Sequence, residues 1–213
     1  MAGTEAAGTE AAGTEAAGTE AAGTPGFAPV PGLPPEPDRF RQVLGHFCTG
    51  VTVITTVDAD GPAGFTCQSF AAVSLDPPLV LFCPSRSSAT WRRIERTGHF
   101  CANVLADGQR ELARVFASSA GGKFDGVGWS PAPAGPPVLD GALAWVTAAV
   151  ATVHQAGDHQ VVIGRVTGLA ACRPGPALLF YRGRYALTAD GADDGPPELV
   201  DTLLAWPRHA DWI

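Results

Sequence analysis

Small and hydroxyl side chains are concentrated in residues 64–79, whose sequence is GFTCQSFAAVSLDPPL. In a strand, side chains of this size let a planar ligand lie against the backbone, while N–H groups and hydroxyls bond its heteroatoms. Thr and Ser also suit ordinary strands, because β-branched and hydroxyl side chains are tolerated on a pleated surface. The composition of this segment alone therefore favours an ordinary strand, with a ligand-binding strand as the alternative.

A second candidate site is the start of a helix predicted at residues 87–96. Ser87 and Ser88 are favoured N-cap residues, whose hydroxyl accepts a backbone N–H of the first turn. The other N–H groups of that turn, together with Arg86, form a site for an anion such as a phosphate. An N-cap serine is also an ordinary structural feature, and the two roles are compatible.

The common nucleotide, hydrolase and zinc motifs are absent from the sequence. It contains no G-x-G-x-x-G after a strand, no G-x-x-x-x-G-K-[ST], no G-x-S-x-G and no H-E-x-x-H. The cysteines are odd in number and widely spaced, so neither a disulfide framework nor a C-x-x-C metal site is predicted. We expect no bound metal and interpret all five as small buried apolar side chains: Cys48, Cys67, Cys83, Cys101 and Cys172.

Charge is distributed unevenly along the chain. The net charge is -7 over 213 residues, but residues 1–37 hold five Glu and no basic residue, and residues 190–213 hold six acidic residues against one Arg. Residues 38–189 carry 13 Lys and Arg against 10 Asp and Glu, a net charge of +3. This weakly cationic body suits a small anionic ligand and lacks the basic stripe of a nucleic-acid-binding protein.

Targeting and membrane signals are also absent from the sequence. No apolar run approaches the roughly 18 residues of a membrane helix, and no basic region followed by an apolar one begins the chain. We therefore expect a cytoplasmic protein without a membrane segment.

The chain is predicted to comprise a disordered tail, one folded domain and a short extension. The pentad Ala-Gly-Thr-Glu-Ala occurs four times in succession and leads into a Pro-rich stretch. Residues 1–37 therefore cannot bury enough apolar surface to offset the entropy of ordering. Residues 38–189 form the domain, and residues 190–213 form a C-terminal extension with a short apolar helix at 199–206.

Within the domain, the hydropathy pattern predicts mainly strands. Apolar and β-branched segments bounded by turn residues predict strands at 51–57, 63–75, 79–83, 100–105, 143–153, 160–169, 177–181 and 185–188. Three short helices are predicted: one with Asp38 as its N-cap, one at 87–96 with an exposed side made by Arg92, Arg93 and Arg96, and one at 109–117. The Gly- and Pro-rich residues 118–137 are predicted to be a long functional loop. Many neighbouring strands with few helices favour an antiparallel barrel over a doubly wound sheet.

The order of several motifs resembles that of the flavin reductase family. They are colinear from Asp38 to Leu187, roughly seven-tenths of the chain: Gly50 to Thr55, Thr66 to Phe70, Val73 to Val80, Ser87 to Trp91, Asn103 to Leu105, Lys123-Phe124, Gly157-Asp158-His159 and Tyr181 to Tyr185. The resemblance implies a mainly β, antiparallel split β-barrel of the FMN-binding type. It also implies a homodimer that uses NADH or NADPH to reduce FAD or FMN and supplies the reduced flavin to a separate flavin-dependent monooxygenase.

The resemblance further implies a site in which cofactor binding, and no catalytic side chain, is the contribution of the protein. Thr66, Cys67, Gln68 and Ser69 would follow the flavin ring system, and the phosphate end would lie near Ser85, Arg86, Ser87 and Ser88. Other residues implied near the flavin are Ser74, Cys83, Lys123 and Phe124. His159 and Tyr185 would lie on the nicotinamide side, where a histidine positions the ligand without acting as an acid or base.

Two other functions are compatible with the same barrel. One is a flavoprotein that keeps its FMN and reduces a bound substrate itself. The other is a carrier of flavin or haem without catalysis. Retention of a yellow colour on dialysis distinguishes the first, and failure to oxidise NADH with added flavin distinguishes the second. The sequence leaves open the choices between FAD and FMN and between NADH and NADPH.

Overall fold

A computed structural model describes residues 36–133 and 135–187. Three helices lie in this part of the chain: α1 (Pro37–Leu44), α2 (Ala89–Thr97) and α3 (Arg110–Ala117), the last preceded by a 3-10 turn at Asp107–Gln109. The strands are β1 (Thr49–Gly50), β2 (Thr52–Asp58), β3 (Gly61–Cys67), β4 (Ala71–Leu75), β5 (Pro78–Phe82), β6 (His99–Val104), β7 (Trp129–Pro131), β8 (Pro137–Leu139), β9 (Ala144–Ala156), β10 (His159–Ala171), β11 (Leu178–Tyr181) and β12 (Arg184–Leu187). The predicted tail up to residue 35 and the extension at 190–213, with its helix, lie outside the described residues.

The strands pair antiparallel throughout, which confirms the predicted mainly β, antiparallel architecture. The main sheet has seven strands in the order β3-β2-β6-β9-β10-β5-β4, and β1-β11-β12 and β7-β8 form two smaller sheets. β3 and β4 follow each other in sequence but occupy opposite edges of the main sheet. Only Gln68, Ser69 and Phe70 separate them, a path of about 15 Å at most. The sheet must therefore curl until its two edges face each other across an opening.

This topology corrects the predicted strand at 63–75. The segment forms two strands, because β3 pairs with β2 whereas β4 pairs with β5 at the other edge of the sheet. Residues 68–70 cross the opening between them, and Ser69 Oγ accepts the backbone N–H of Cys83 at 2.8 Å. The hydroxyl-rich segment therefore lies at the split in the barrel. Its residues 68–70 pair with neither neighbouring strand.

A second correction concerns the predicted loop at 118–137. Its last part pairs as the two-stranded sheet β7-β8, with Trp129 opposite Leu139 and Pro131 opposite Pro137. A two-stranded sheet tolerates these prolines because both of its strands are edges. The side chain of Asn103 anchors β8 in the core: it is fully buried and its Oδ1 accepts the N–H of Leu139 at 2.8 Å.

The core has two parts, one on each face of β2. Ile54 packs with Phe82, Trp91 and Phe100 on one face, whereas the neighbouring Val53 packs on the other with residues of α3, β8 and β11. Because successive side chains of a strand point to opposite faces, this β-branched strand is buried on both sides. The two clusters hold α2 and α3 against opposite faces of the sheet.

The helix predictions are confirmed, with changes at their ends. In α1, Glu36 is the N-cap and Pro37 the first helical residue, so Asp38 lies in the first turn, where it pairs with Arg41 at 2.8 Å. Pro suits this position because its missing N–H has no acceptor in the first turn. The apolar side of α1 is not buried by the described chain: Phe40, Val43 and Leu44 are about half exposed.

Two further expectations are wrong: that all five cysteines are buried, and that Arg93 lies on the exposed side of α2. Cys48 and Cys172 are exposed, Cys83 is partly buried, and only Cys67 and Cys101 are buried as predicted. Burial raises the pKa of the Cys101 thiol to about 12. Arg93 does not lie on the exposed side of α2 with Arg92 and Arg96, because it forms a largely buried ion pair with Asp58 at the end of β2.

Neither a membrane-spanning helix nor a cluster of metal ligands occurs in the described residues. None of the helices there has the length and apolar character needed to cross a membrane. In residues 36–133 and 135–187, no group of three or more His, Cys, Asp or Glu side chains is placed to hold a metal ion.

Candidate functional site

A cavity of about 380 Å³ opens at the split between the two edges of the main sheet. It brings together most of the residues predicted at the flavin ring with the predicted nicotinamide residue; the walls are Phe65, Thr66, Cys67, Gln68, Ser69, Cys83, Ser85, Ser88 and His159. A second cleft of about 850 Å³ shares Phe65, Thr66 and Ser88 with it. The two spaces are therefore neighbours along β3 and meet at the start of α2.

The hydroxyls on the ring strand serve the protein itself. Thr66 Oγ1 donates to the Ala113 carbonyl at 2.6 Å and so ties β3 to α3. Ser69 Oγ holds the end of β5 through the Cys83 N–H and lies 3.3 Å from Cys67 Sγ. Since these hydroxyls already bond within the protein, a ligand at this strand would bond mainly to backbone groups and to the exposed Gln68 side chain.

The start of α2 has free backbone N–H groups where the sequence predicts an anion site. Ser88 is its N-cap and accepts the Trp91 N–H at 3.2 Å. The N–H groups of Ala89 and Thr90 have no acceptor within the helix, and both residues line the larger cleft. Ser85 Oγ and Ser87 Oγ lie 2.8 Å apart beside them. Donors of this kind suit an anion such as a phosphate.

Lys123 and Phe124 line the wall of the larger cleft opposite α2. Lys123 Nζ donates to the carbonyl of Phe116 at 3.1 Å and to that of Gly64 at 3.4 Å, which links α3 to β3. Burial lowers the pKa of Lys123. Phe124 packs edge to face on Phe116, with ring centroids 5.0 Å apart. Both residues therefore shape the cleft while they stabilise it.

His159 lies at the first position of β10, beside the β9–β10 turn. Its backbone forms an isolated bridge with Ser85, and its Nδ1 is 2.8 Å from Asp158 Oδ1. This hydrogen bond holds the pKa of Asp158 below its usual value. The Asp158 carbonyl also accepts the N–H of Arg86 at 3.0 Å. The side chain of Asp158 and the backbone bridge to Ser85 thus hold His159 at the cavity.

Three predicted site residues are not brought to these two spaces within the chain. The Arg86 side chain borders a separate cavity of about 410 Å³ with Arg92, Glu95 and Gln155 among its walls. Ser74 lies on β4 opposite Leu79 and lines neither space. Tyr185 packs on Phe180, where burial raises its pKa, and borders a fourth cavity of about 530 Å³. Ser74 and Tyr185 are placed by strands β4 and β12, and Arg86 by the turn before α2.

Arg93 is a cleft residue that the sequence analysis missed. It lies on the same side of α2 as Ala89 and Thr90, because residues four apart share a helix face, and it lines the larger cleft. The signal available in the sequence was an unpaired acid at a predicted hairpin, Asp58, close enough in the fold to accept two of its hydrogen bonds.

A curled antiparallel sheet whose two edges face each other across an opening, with the start of α2 beside that opening, defines the split-barrel class of fold. The chain belongs to the flavin reductase family: residues 44–189 match the model of the flavin reductase like domain. The reductase subunit HsaB of a flavin-dependent monooxygenase from Rhodococcus jostii is 53% identical over 150 residues, 70% of this chain and 77% of that protein. The family and fold expected from the motifs are therefore confirmed.

Solved structures of related proteins have the same fold. Nitrilotriacetate monooxygenase component B from Mycobacterium thermoresistibile superposes with a TM-score of 0.71 at 49% identity, over 75% of this chain and 89% of that one. The NADH:FAD oxidoreductase SgcE6 from Streptomyces globisporus, solved with NAD and FAD fragments, has a TM-score of 0.70 at 36% identity, over 73% and 94% of the two chains.

Proposed function

We propose that the protein is an NAD(P)H:flavin oxidoreductase that supplies reduced FAD or FMN to a partner monooxygenase. The observation that carries the proposal is the pair of adjoining spaces at the split, which join a ring-sized cavity containing His159 to the phosphate site at the start of α2. Relatives named as reductase subunits of two-component monooxygenases support the same function. The chain thus has the shape and donors for a flavin nucleotide and an approach for a second ligand.

When bound, the flavin supplies the redox chemistry by accepting a hydride from C4 of the nicotinamide at its N5. The chain positions both ligands and needs no nucleophile. Backbone groups of Cys67 to Ser69 would bond the heteroatoms of the ring, and the amides of Ala89 and Thr90 would hold the phosphate. His159 orients the nicotinamide from the β9–β10 turn. The open cavity walls let a reduced flavin leave for the oxygenase.

The test is NADH oxidation by purified protein with free flavin added in excess. We expect multiple turnovers with either FAD or FMN and loss of colour on dialysis, because supply to a partner requires release. A protein that remains yellow after dialysis and turns over without added flavin would instead be a flavoprotein with its own substrate. Binding of flavin without NADH or NADPH oxidation would indicate a carrier.

We further propose a homodimer in the cytoplasm. Phe40, Val43, Leu44 and Phe47 are between 51% and 74% exposed, four apolar side chains within eight residues that a second subunit would cover. The exposed thiols of Cys48 and Cys172 suit a reducing compartment. Sedimentation equilibrium at micromolar concentration should give twice the chain mass of 21.9 kDa. A single species at the chain mass would contradict the dimer.

A further inference from the structure

Two cysteine thiols lie on opposite sides of the split in the barrel. Cys67 is the last residue of β3, at one edge of the main sheet, and Cys83 directly follows β5, the strand next to the other edge. Both residues line the ring cavity. The proposed function uses backbone groups of this segment and leaves both thiols without a role.

Ser69 bridges the two cysteines. Its Oγ lies 3.3 Å from Cys67 Sγ and accepts the backbone N–H of Cys83 at 2.8 Å, so Cys67 Sγ is no further from the Cys83 nitrogen than these two distances together. Cys83 lies one residue beyond Phe82, the last residue of β5 that pairs with β10. Cys83 can therefore move toward Cys67 without breaking the sheet, and a disulfide needs Cα atoms only about 4.4–6.8 Å apart.

The two thiols differ in their access to an oxidant. Cys83 is partly buried in the cavity wall, whereas Cys67 is only 5% exposed. Burial is the main reason that the pKa of Cys67 is raised, and the neighbouring Cys83 thiol raises that pKa further. Because the thiolate is the reactive form, Cys83 is the thiol that an oxidant meets first. Cys67 is then placed to attack the oxidised sulfur.

The proposed reaction itself supplies an oxidant. Free reduced flavin that an oxygenase does not use reacts with O2 and gives oxidised flavin and hydrogen peroxide. Peroxide converts an accessible thiol to a sulfenic acid, which condenses with a second thiol to a disulfide. A reductase that releases its product therefore makes peroxide whenever the oxygenase falls behind.

We propose that Cys67 and Cys83 form a reversible disulfide that closes the ring cavity when peroxide accumulates. The Cys83 sulfur attacks one oxygen of the peroxide, the O–O bond breaks, and the products are a sulfenic acid and water. The Cys67 sulfur then attacks the Cys83 sulfur, whose hydroxyl leaves with the Cys67 proton as a second water. The two thiols lose two electrons, and the peroxide gains them. The inference rests on the proposed function as the source of the peroxide.

The disulfide would join the two sides of the split at the place where the flavin ring is proposed to lie. Its S–S bond of about 2 Å holds the two backbones as close as neighbouring strands, so a planar ring no longer fits between them. A bound flavin would in turn shield both thiols from peroxide. Thiol–disulfide exchange with the thiols of a reducing compartment would reopen the cavity.

The test is treatment of the flavin-free full chain with hydrogen peroxide, followed by alkylation and peptide mapping by mass spectrometry. We expect a peptide pair joined through Cys67 and Cys83 and a fall in NADH oxidation with added flavin of at least about 10-fold, because the closed cavity excludes the ring. Dithiothreitol should reverse both changes. Excess oxidised flavin without NADH should slow formation of the bond. During aerobic turnover without an oxygenase, catalase should prevent it.

Single substitutions assign the two steps. After peroxide, Cys83→Ser should keep the activity that it has before treatment, and Cys67→Ala should stop at a Cys83 sulfenic acid that dimedone traps. Cys172→Ala is the matched control, because it removes an exposed thiol that borders neither space, and it should be inactivated like the wild type.

Three results would overturn the inference: Cys67 and Cys83 recovered as thiols after peroxide, a disulfide that leaves activity unchanged, or equal inactivation of Cys83→Ser. A protein that oxidises no NADH before peroxide is added would instead overturn the proposed function. The peptide map would still test the disulfide in that case, so the two failures are distinguishable.

Discussion

Replacement of His159 by alanine is expected to slow reduction of bound flavin by NADH about 10-fold to 100-fold, while the Kd for flavin changes little. The imidazole borders the ring cavity and is held there by Asp158 and by the backbone bridge to Ser85. A positioning hydrogen bond that involves charge or burial contributes about 1–3 kcal/mol, which corresponds to roughly one to two decades in rate. Stopped-flow single turnovers at saturating flavin measure the effect directly.

His154→Ala is the matched control, because His154 is an exposed histidine on β9, opposite Val161, and borders neither space. It should leave the rate and the Kd unchanged. Ser87→Ala should have the reverse effect of His159→Ala and weaken flavin binding first. A His159→Ala protein that loses flavin but reduces it at the normal rate when saturated would show that His159 acts on the flavin and not on the nicotinamide.

Local patterns were enough to predict the elements that carry the site. The β-branched run at 51–57 became a strand buried on both faces, since Val53 and Ile54 pack into different parts of the core. The N-cap preference of serine placed the start of α2 to within one or two residues. These features depend on neighbours in sequence, which is why composition and spacing reveal them.

Features that depend on distant pairing could not be predicted in the same way. The break at residues 68–70 exists because β3 and β4 pair with different partners, a fact set by the whole sheet. Spacing alone places Arg93 on a solvated helix face, whereas the fold brings Asp58, at the end of β2, beside it. Tyr185 was assigned to the nicotinamide side by resemblance, and within the chain it lies in another cavity. A role for it at the site would require a second subunit.

The largest effect on stability is expected for Phe82→Ala. Phe82 is fully buried at the end of β5, and its ring meets those of Phe100, Trp91 and Phe65 at centroid distances of 4.8, 6.0 and 6.1 Å. Truncation removes the apolar contacts and leaves a cavity that sheet and helix cannot close, so the free energy of unfolding should fall by about 3–5 kcal/mol. Urea denaturation at fixed subunit concentration measures this loss.

The same substitution should also weaken flavin binding, because Phe82 directly precedes Cys83, whose N–H holds Ser69 at the split. Leu169→Ala, at a side chain that is 66% exposed, is the control and should change the free energy of unfolding by less than about 0.5 kcal/mol. Phe82→Leu, which keeps apolar volume between α2 and the sheet, should be less destabilising than the alanine variant. A loss below about 1 kcal/mol in Phe82→Ala would mean that the ring cluster does not anchor α2, and that the phosphate site at its first turn is held mainly by the Ser88 cap and the Arg93–Asp58 pair.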